Sequence, residues 1–127
     1  MAHRSRLSTL VLDCRVGDLD ASTRFWSRAL GKPVDDPDED GDGNYAVLRT
    51  STDEPMMLLQ KVEHESRVHL DIETDDIEAE VARLERLGAK KVAFVKRWWV
   101  MQAPSGHRFC VVGPQRGELG DDANRWD

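Results

Sequence analysis

The sequence predicts an α+β fold: two tandem βαβββ modules forming a cupped, mostly antiparallel mixed sheet around a cleft. Three observations predict it. Two segments, Asp20–Leu30 and Asp76–Leu87, carry apolar residues at helical spacing. Each follows one short strand pattern and precedes three more. The two helical segments also align, Asp18-Leu19-Asp20-Ala21 with Asp76-Ile77-Glu78-Ala79 and Leu30-Gly31 with Leu87-Gly88. Two copies indicate a duplicated module rather than a solenoid. A chain of 127 residues is one domain, with module 1 at about 8–62, module 2 at about 68–113 and a tail at 114–127. At that length folding buries roughly two-thirds of the unfolded surface, enough for a core without metal or disulfide staples.

The first strand is Thr9–Arg15, with Leu10, Leu12 and Cys14 on the face that meets the helix and Thr9, Val11, Asp13 and Arg15 on the other. The first helix is capped by Asp18 or Asp20 and buries Phe25, Trp26, Ala29 and Leu30. Gly31 ends it and Pro33 forbids its continuation. Lys32–Asp35 is a weak strand, and the acidic Asp36–Asn44 a solvated loop. Strands follow at Tyr45–Thr50 and Pro55–Val62, joined by a turn at Ser51–Glu54. In the strand Val68–Glu73, Val68, Leu70 and Ile72 alternate with His69, Asp71 and Glu73, which face the cleft or solvent.

The second helix takes Asp75 or Asp76 as cap and Ile77, Val81, Leu84 and Leu87 as its inner face. Glu80 pairs with Arg83, and Gly88 follows the end. Strands at Lys90–Val95, Arg97–Gln102 and Arg108–Val112 complete the module, with a turn at Pro104-Ser105-Gly106. In the last of these, Phe109 and Val111 read as core and Arg108, Cys110 and Val112 as cleft-facing. Beyond Pro114 the chain lacks periodicity and reads as a loose extension or partner-docking arm. His3 lies in a stretch expected to fray.

Hydrophobic residues are 39% and charged residues 33%, a soluble globular balance. No apolar run approaches the ~18 residues that span a membrane. Eighteen Lys+Arg against 24 Asp+Glu give a net charge of −6, which repels a phosphate backbone and argues against nucleic acid as partner. No apolar h-region follows Arg4 and Arg6, so a cytoplasmic location with reduced thiols is expected. The two cysteines, Cys14 and Cys110, point to opposite faces of the sheet, which argues against a disulfide.

The residues Asp18-Leu19-Asp20-Ala21-Ser22, Phe25-Trp26, Leu30-Gly31, His69-Leu70-Asp71-Ile72, Leu84-Glu85-Arg86-Leu87-Gly88-Ala89 and Ala103-Pro104-Ser105-Gly106-His107-Arg108-Phe109 carry a resemblance. The chain resembles the glyoxalase/bleomycin-resistance/extradiol-dioxygenase superfamily, the vicinal oxygen chelate proteins, and within it the glyoxalase-like domain subgroup. The resemblance covers roughly residues 8 to 113. It implies a homodimer. It also implies four metal-ligand positions, here Val11, Gln60, His69 and Cys110. Valine does not bind metal, and glutamine is a poor substitute for a carboxylate. His69 is competent, and Cys110 is competent for zinc as thiolate. Asp13 and Asp71 lie two residues away on the same faces and reach such a site only with rearrangement.

The cleft residues are therefore Val11, Asp13, Met56, Leu58, Gln60, His69, Asp71, Trp98, Trp99, Arg108 and Cys110. Adjacent Trp98 and Trp99 face opposite sides, one to the core or an interface and one to the cleft, and parity alone leaves open which. His69 is the candidate base, with Asp71 or Glu73 beside it. His64 reads as solvated and His107 as a turn residue.

The reading is a protein that binds a small organic molecule in the cleft, with no metal or other cofactor required. A tryptophan, Met56 and Leu58 bury the ligand's body. Asp13, Asp71 and Glu73 supply negative charge, His69 and Gln60 hydrogen bonds. The alternative is a lyase, isomerase or dioxygenase of the vicinal oxygen chelate type, with a divalent metal on His69, Cys110 and Gln60. A metal-free enzyme using His69 as base, and a purely partner-binding role, remain open.

Overall fold

The computed structural model describes residues 2–35 and 43–127; most of the acidic loop expected at Asp36–Asn44 lies outside them. Ten elements follow in order: β1 (His3–Cys14), α1 (Asp20–Leu30), β2 (Tyr45–Leu48), β3 (Met56–Lys61), β4 (Arg67–Thr74), α2 (Ile77–Arg86), β5 (Lys90–Val95), β6 (Trp98–Gln102), β7 (Arg108–Val112) and β8 (Asn124–Trp126). The α+β class and the βαβββ order are as expected. Among the described residues no helix is long and apolar enough to cross a membrane. The chain divides into two compact units, Thr9–His69 and Met1–Ser8 with Leu70–Asp127.

In the Thr9–His69 unit, β3 pairs parallel with β1 and antiparallel with β2. Cys14, Leu19, Leu48 and Leu59 form the core, with Leu12, Val16, Trp26, Ala46 and Met57 against it. Leu12 and Cys14 thus meet the helix, as alternation predicts. The helix itself sits differently from its expected stripe. Leu19, Thr23 and Trp26 turn inward, while Phe25 is 60% exposed and stands edge-on to Trp26 at 5.1 Å. Spacing i, i+4, i+7 explains this: Leu19 starts the inner face, and Phe25 falls off it. The capping residue is Leu19, and Asp18 accepts from Asp20 N at 2.8 Å. Gly31 closes the helix at φ 66°, in the left-handed region that favours glycine. The weak strand at Lys32–Asp35 is a single bridge, Val34 to Leu48. Pro33 has no N–H for a ladder and contributes only its carbonyl, to Arg49 N.

In the other unit, β4 pairs parallel with β7, β7 antiparallel with β6, and β6 antiparallel with β5. Val81 and Leu84 of α2 pack on Met101 and Val111, with Ile72, Ile77, Ala89, Trp99 and Phe109 around them. Asp76 caps α2 by accepting from Ala79 N. Gly88 follows at φ 108°, where a Cβ would also come within 3.2 Å of Pro104 Cγ.

Both chain ends differ from expectation. His3 does not fray; it is 6% exposed and bonds Glu80 Oε1 at 2.8 Å. The tail is not a loose arm, because β8 pairs antiparallel with the start of β1. Trp126 donates to Ser5 Oγ at 2.9 Å and lies under the Arg83 guanidinium at 3.9 Å. Arg83 grips both oxygens of the fully buried Glu80 at 2.8 Å. Burial pushes the Glu80 carboxyl up, but hydrogen bonds from Arg83, His3 and Ser5 outweigh it and hold it below its ordinary value. One buried carboxylate therefore ties both chain ends to α2.

Glu80→Gln is expected to cost about 3 kcal/mol at pH 7, because Arg83 is left without its charge partner. The lowered native pKa means that ionised Glu80 stabilises fully above about pH 4.3 and progressively less as pH falls through the native value. The stability gap between wild type and variant should narrow as pH falls below about 4.3; a gap constant with pH would show that Glu80 is not the titrating clasp. Trp126→Ala should cost about 2 kcal/mol, measured the same way, whereas a loose tail would show no change.

Candidate functional site

Strand register defines one face of the Thr9–His69 unit. Across β2, β3 and β1, Tyr45 stands opposite Gln60, and Gln60 opposite Asp13. The next row on the same face is Val47, Leu58 and Val11, and beyond it Met56 faces Thr9. This face lies opposite the α1 core, so it presents a polar row beside an apolar one. Val11 is 1% exposed, while Met56, Leu58, Gln60 and Tyr45 are half-buried.

Asp13 is the centre of this face. Its side chain is 3% exposed, and its Oδ2 lies 2.7 Å from His69 Nδ1. Arg67 Nε and His64 Nε2 stand 3.8 and 4.0 Å from the same oxygen. Asp13 Oδ1 is buried with no hydrogen-bond partner. A buried carboxylate oxygen without a donor costs free energy, so it marks a place where a donor belongs. With a proton on Nδ1, His69 donates to the Asp13 carboxylate in this contact. Gln60 Nε2 donates to the Tyr45 hydroxyl at 3.3 Å. Burial, then the Asp13 charge, push the Cys14 thiol above its ordinary value, so it is a poor nucleophile.

The partner of His69 is thus Asp13, where the sequence suggested Asp71 or Glu73. Glu73 is withdrawn from ligand chemistry. It is fully buried, with Oε2 on Arg6 Nε at 3.2 Å and Oε1 on Gln115 N at 3.0 Å. Arg6 in turn pairs with Asp122. Arg6 of β1 therefore neutralises Glu73, and the tail completes its hydrogen bonding through Gln115 N, an outcome hidden while both chain ends read as loose.

In the Leu70–Asp127 part, Asp71 is the register partner of Cys110, Cys110 of Val100, and Arg108 of Gln102. These residues, with Trp98, lie on the face opposite the α2 core. Trp99 joins that core, edge-on to Phe94 at 5.3 Å and beneath Lys91 Nζ at 4.9 Å. Of the two tryptophans, Trp98 therefore shares the Cys110 face and Trp99 does not. His107 is a turn residue, its Nδ1 2.7 Å from Ser105 Oγ. Both cysteines are free thiols. Asp71 and Cys110, paired across β4 and β7, are donor types that suit a divalent metal, zinc above all.

Tyr45, Arg67 and the Asp13–His69 pair escaped the sequence reading. Their meeting depends on register, which no local pattern encodes. His64, read as solvated, is 42% exposed and still approaches Asp13.

A double-mutant cycle of Asp13→Ala and His69→Ala should give a coupling of about 1–3 kcal/mol in unfolding free energy. Additive losses would mean that the pair does not hold in solution.

The family model described as glyoxalase-like domain matches residues 9–112. No curated protein matches the sequence. Among solved structures, methylmalonyl-CoA epimerase from Mycobacterium tuberculosis is similar at 16% identity and TM-score 0.61, covering 86% of this chain and 87% of that one. A glyoxalase/bleomycin resistance protein/dioxygenase superfamily member from Vibrio splendidus is similar at 19% identity and TM-score 0.57, covering 87% and 99%. A variant of Streptomyces coelicolor methylmalonyl-CoA epimerase in complex with 2-nitronate-propionyl-CoA is similar at 17% identity and TM-score 0.60, covering 91% and 98%. Identities this low establish the fold and leave the chemistry to the residues.

Proposed function

We propose, since this chain belongs to the glyoxalase-like domain family, that it binds a small organic molecule on the β1–β3 face without requiring a metal. The observation that carries this reading is the state of two positions where the family resemblance puts metal ligands. Val11 is a buried hydrocarbon packed beside Leu58, and the amide nitrogen of Gln60 is bonded to Tyr45. What remains is a face of half-buried apolar side chains bordered by a few fixed polar groups, the composition of a ligand site. Binding without turnover would protect the ligand or the cell by mass action alone.

A second reading is favoured by a different observation. His69 is a metal-competent donor, and a histidine backed by a carboxylate, as His69 is by Asp13, is the arrangement that orients metal-binding imidazoles. On this reading the protein is a metal-dependent lyase, isomerase or dioxygenase, and the ion would polarise a substrate oxygen.

One experiment separates the two. Protein purified without tag or chelator is assayed for metal, then melted with zinc, nickel, manganese or iron(II) added. The proposal expects substoichiometric metal and no rise in Tm. Near-stoichiometric metal that is lost in His69→Ala would establish the second reading instead. Acyl-CoA thioesters belong among the first organic probes, because similar solved epimerases are complexes with methylmalonyl-CoA and 2-nitronate-propionyl-CoA. Association as a homodimer is part of the same proposal, and light scattering should return twice the chain mass.

A further inference from the structure

We infer that the Tyr45–Gln60–Asp13 row recognises a hydroxyl or amine head group, with the neighbouring Val47–Leu58–Val11 row seating the ligand's apolar body. This inference rests on the proposed binding function and names the ligand chemistry it selects. Its basis is the hydrogen-bond inventory of the row. Asp13 Oδ1 is a buried acceptor with no donor. Gln60 is its register partner on the parallel strand, so the two side chains stand next to each other on one face. One N–H of the Gln60 amide goes to the Tyr45 hydroxyl, so beside the Tyr45 O–H and a second amide N–H the row also presents Gln60 Oε1 as an acceptor. Two adjacent acceptors call for a ligand that brings donors.

The surrounding charges narrow the class further. His69, Arg67 and His64 all approach Asp13 through Oδ2, at 2.7, 3.8 and 4.0 Å. The Arg67 cation offsets the Asp13 charge, so the row needs a donor and does not demand a cation. Alcohols and amines satisfy it equally, and a carboxylate brings no donor to Asp13 Oδ1. The apolar row runs alongside, one residue pair further from the strand ends, with Leu58 half-buried and Val11 beneath it. A compact hydrophobic group bearing one O–H or N–H head fits both rows at once.

The test uses four probes of one shape: benzyl alcohol, benzylamine, benzyl methyl ether and benzoate. Binding to the full chain is followed by amide shifts of β1–β3 in titrations. Benzyl alcohol and benzylamine should bind about tenfold more tightly than the ether, the worth of one to two hydrogen bonds, and benzoate should bind more weakly than either. Gln60→Leu, on a half-buried face, should reduce that preference to about twofold. Asp13→Asn, which keeps the shape and supplies its own donor, should abolish the preference for a donor head.

Equal affinity for alcohol and ether would overturn the head-group inference and leave small-molecule binding standing. Tighter binding of benzoate would overturn it in favour of Arg67 and His64 as the anchor. No shift on β1–β3 with any probe would remove both the inference and the proposed function beneath it.

Discussion

Glu80 lies at 0% exposure on α2, and its charge survives there only because Arg83, His3 and Ser5 donate to it. Taking a carboxylate out of water costs several kcal/mol unless its oxygens are met by well-aligned donors. That constraint recruits sequence from far away. His3 and Ser5 come from the beginning of β1, Arg83 from the next turn of the helix. Trp126, from the end of the chain, covers Arg83 and donates to Ser5. The pairing of β8 with β1 follows from the same contacts. Without Glu80 the two chain ends would have little reason to meet, since β8 has three residues and a two-stranded patch of that length has no stability of its own.

Glu73 repeats the solution along β4. Arg6 and the Gln115 backbone meet its two oxygens, and Asp122 meets Arg6. Apart from Arg83, both networks draw their donors from residues 3–6 and 113–126, the segments that carry the weakest secondary-structure pattern in the chain. Their order comes from charge pairing between distant residues. Hydrophobic periodicity contributes little there. A reading of local patterns therefore finds the two helices and the inner strands at nearly their observed limits, and misses the ends. The helix α1 shows the complementary lesson. Its boundaries are written in Asp18, Gly31 and Pro33, while its rotation is decided by Leu19, which stands outside the run that looked amphipathic.

The site was legible in kind and illegible in pairing. Alternation along β1 and β4 correctly separates Asp13 and His69 from the residues that meet the helices, because the period of a strand is fixed by geometry. It says nothing about which strands become neighbours or at what register. That is why Asp71 and Glu73, nearest in sequence, were the natural partners to expect for His69, and why Asp13, far away in sequence, is the partner found. Tyr45 is similar. Its role depends on lying opposite Gln60 across β2 and β3, and a one-residue slip would turn it into the core.

Among the described residues Asp13, Glu73 and Glu80 are buried carboxylates, and each is satisfied differently. Glu80 and Glu73 have both oxygens occupied by the protein's own donors. Asp13 does not: Oδ2 is bonded to His69 and approached by Arg67 and His64, and Oδ1 is bare. A purely structural carboxylate has no reason to be left half-satisfied, since each bare oxygen subtracts from a small net stability. Glu80 and Glu73 are sealed by the chain termini. Asp13 lies on a face of half-buried Leu58, Gln60 and Tyr45, where a molecule from solution can supply the missing donor. On the proposed reading, stability given up at this oxygen is recovered when a ligand binds, and the missing donor is what the site selects.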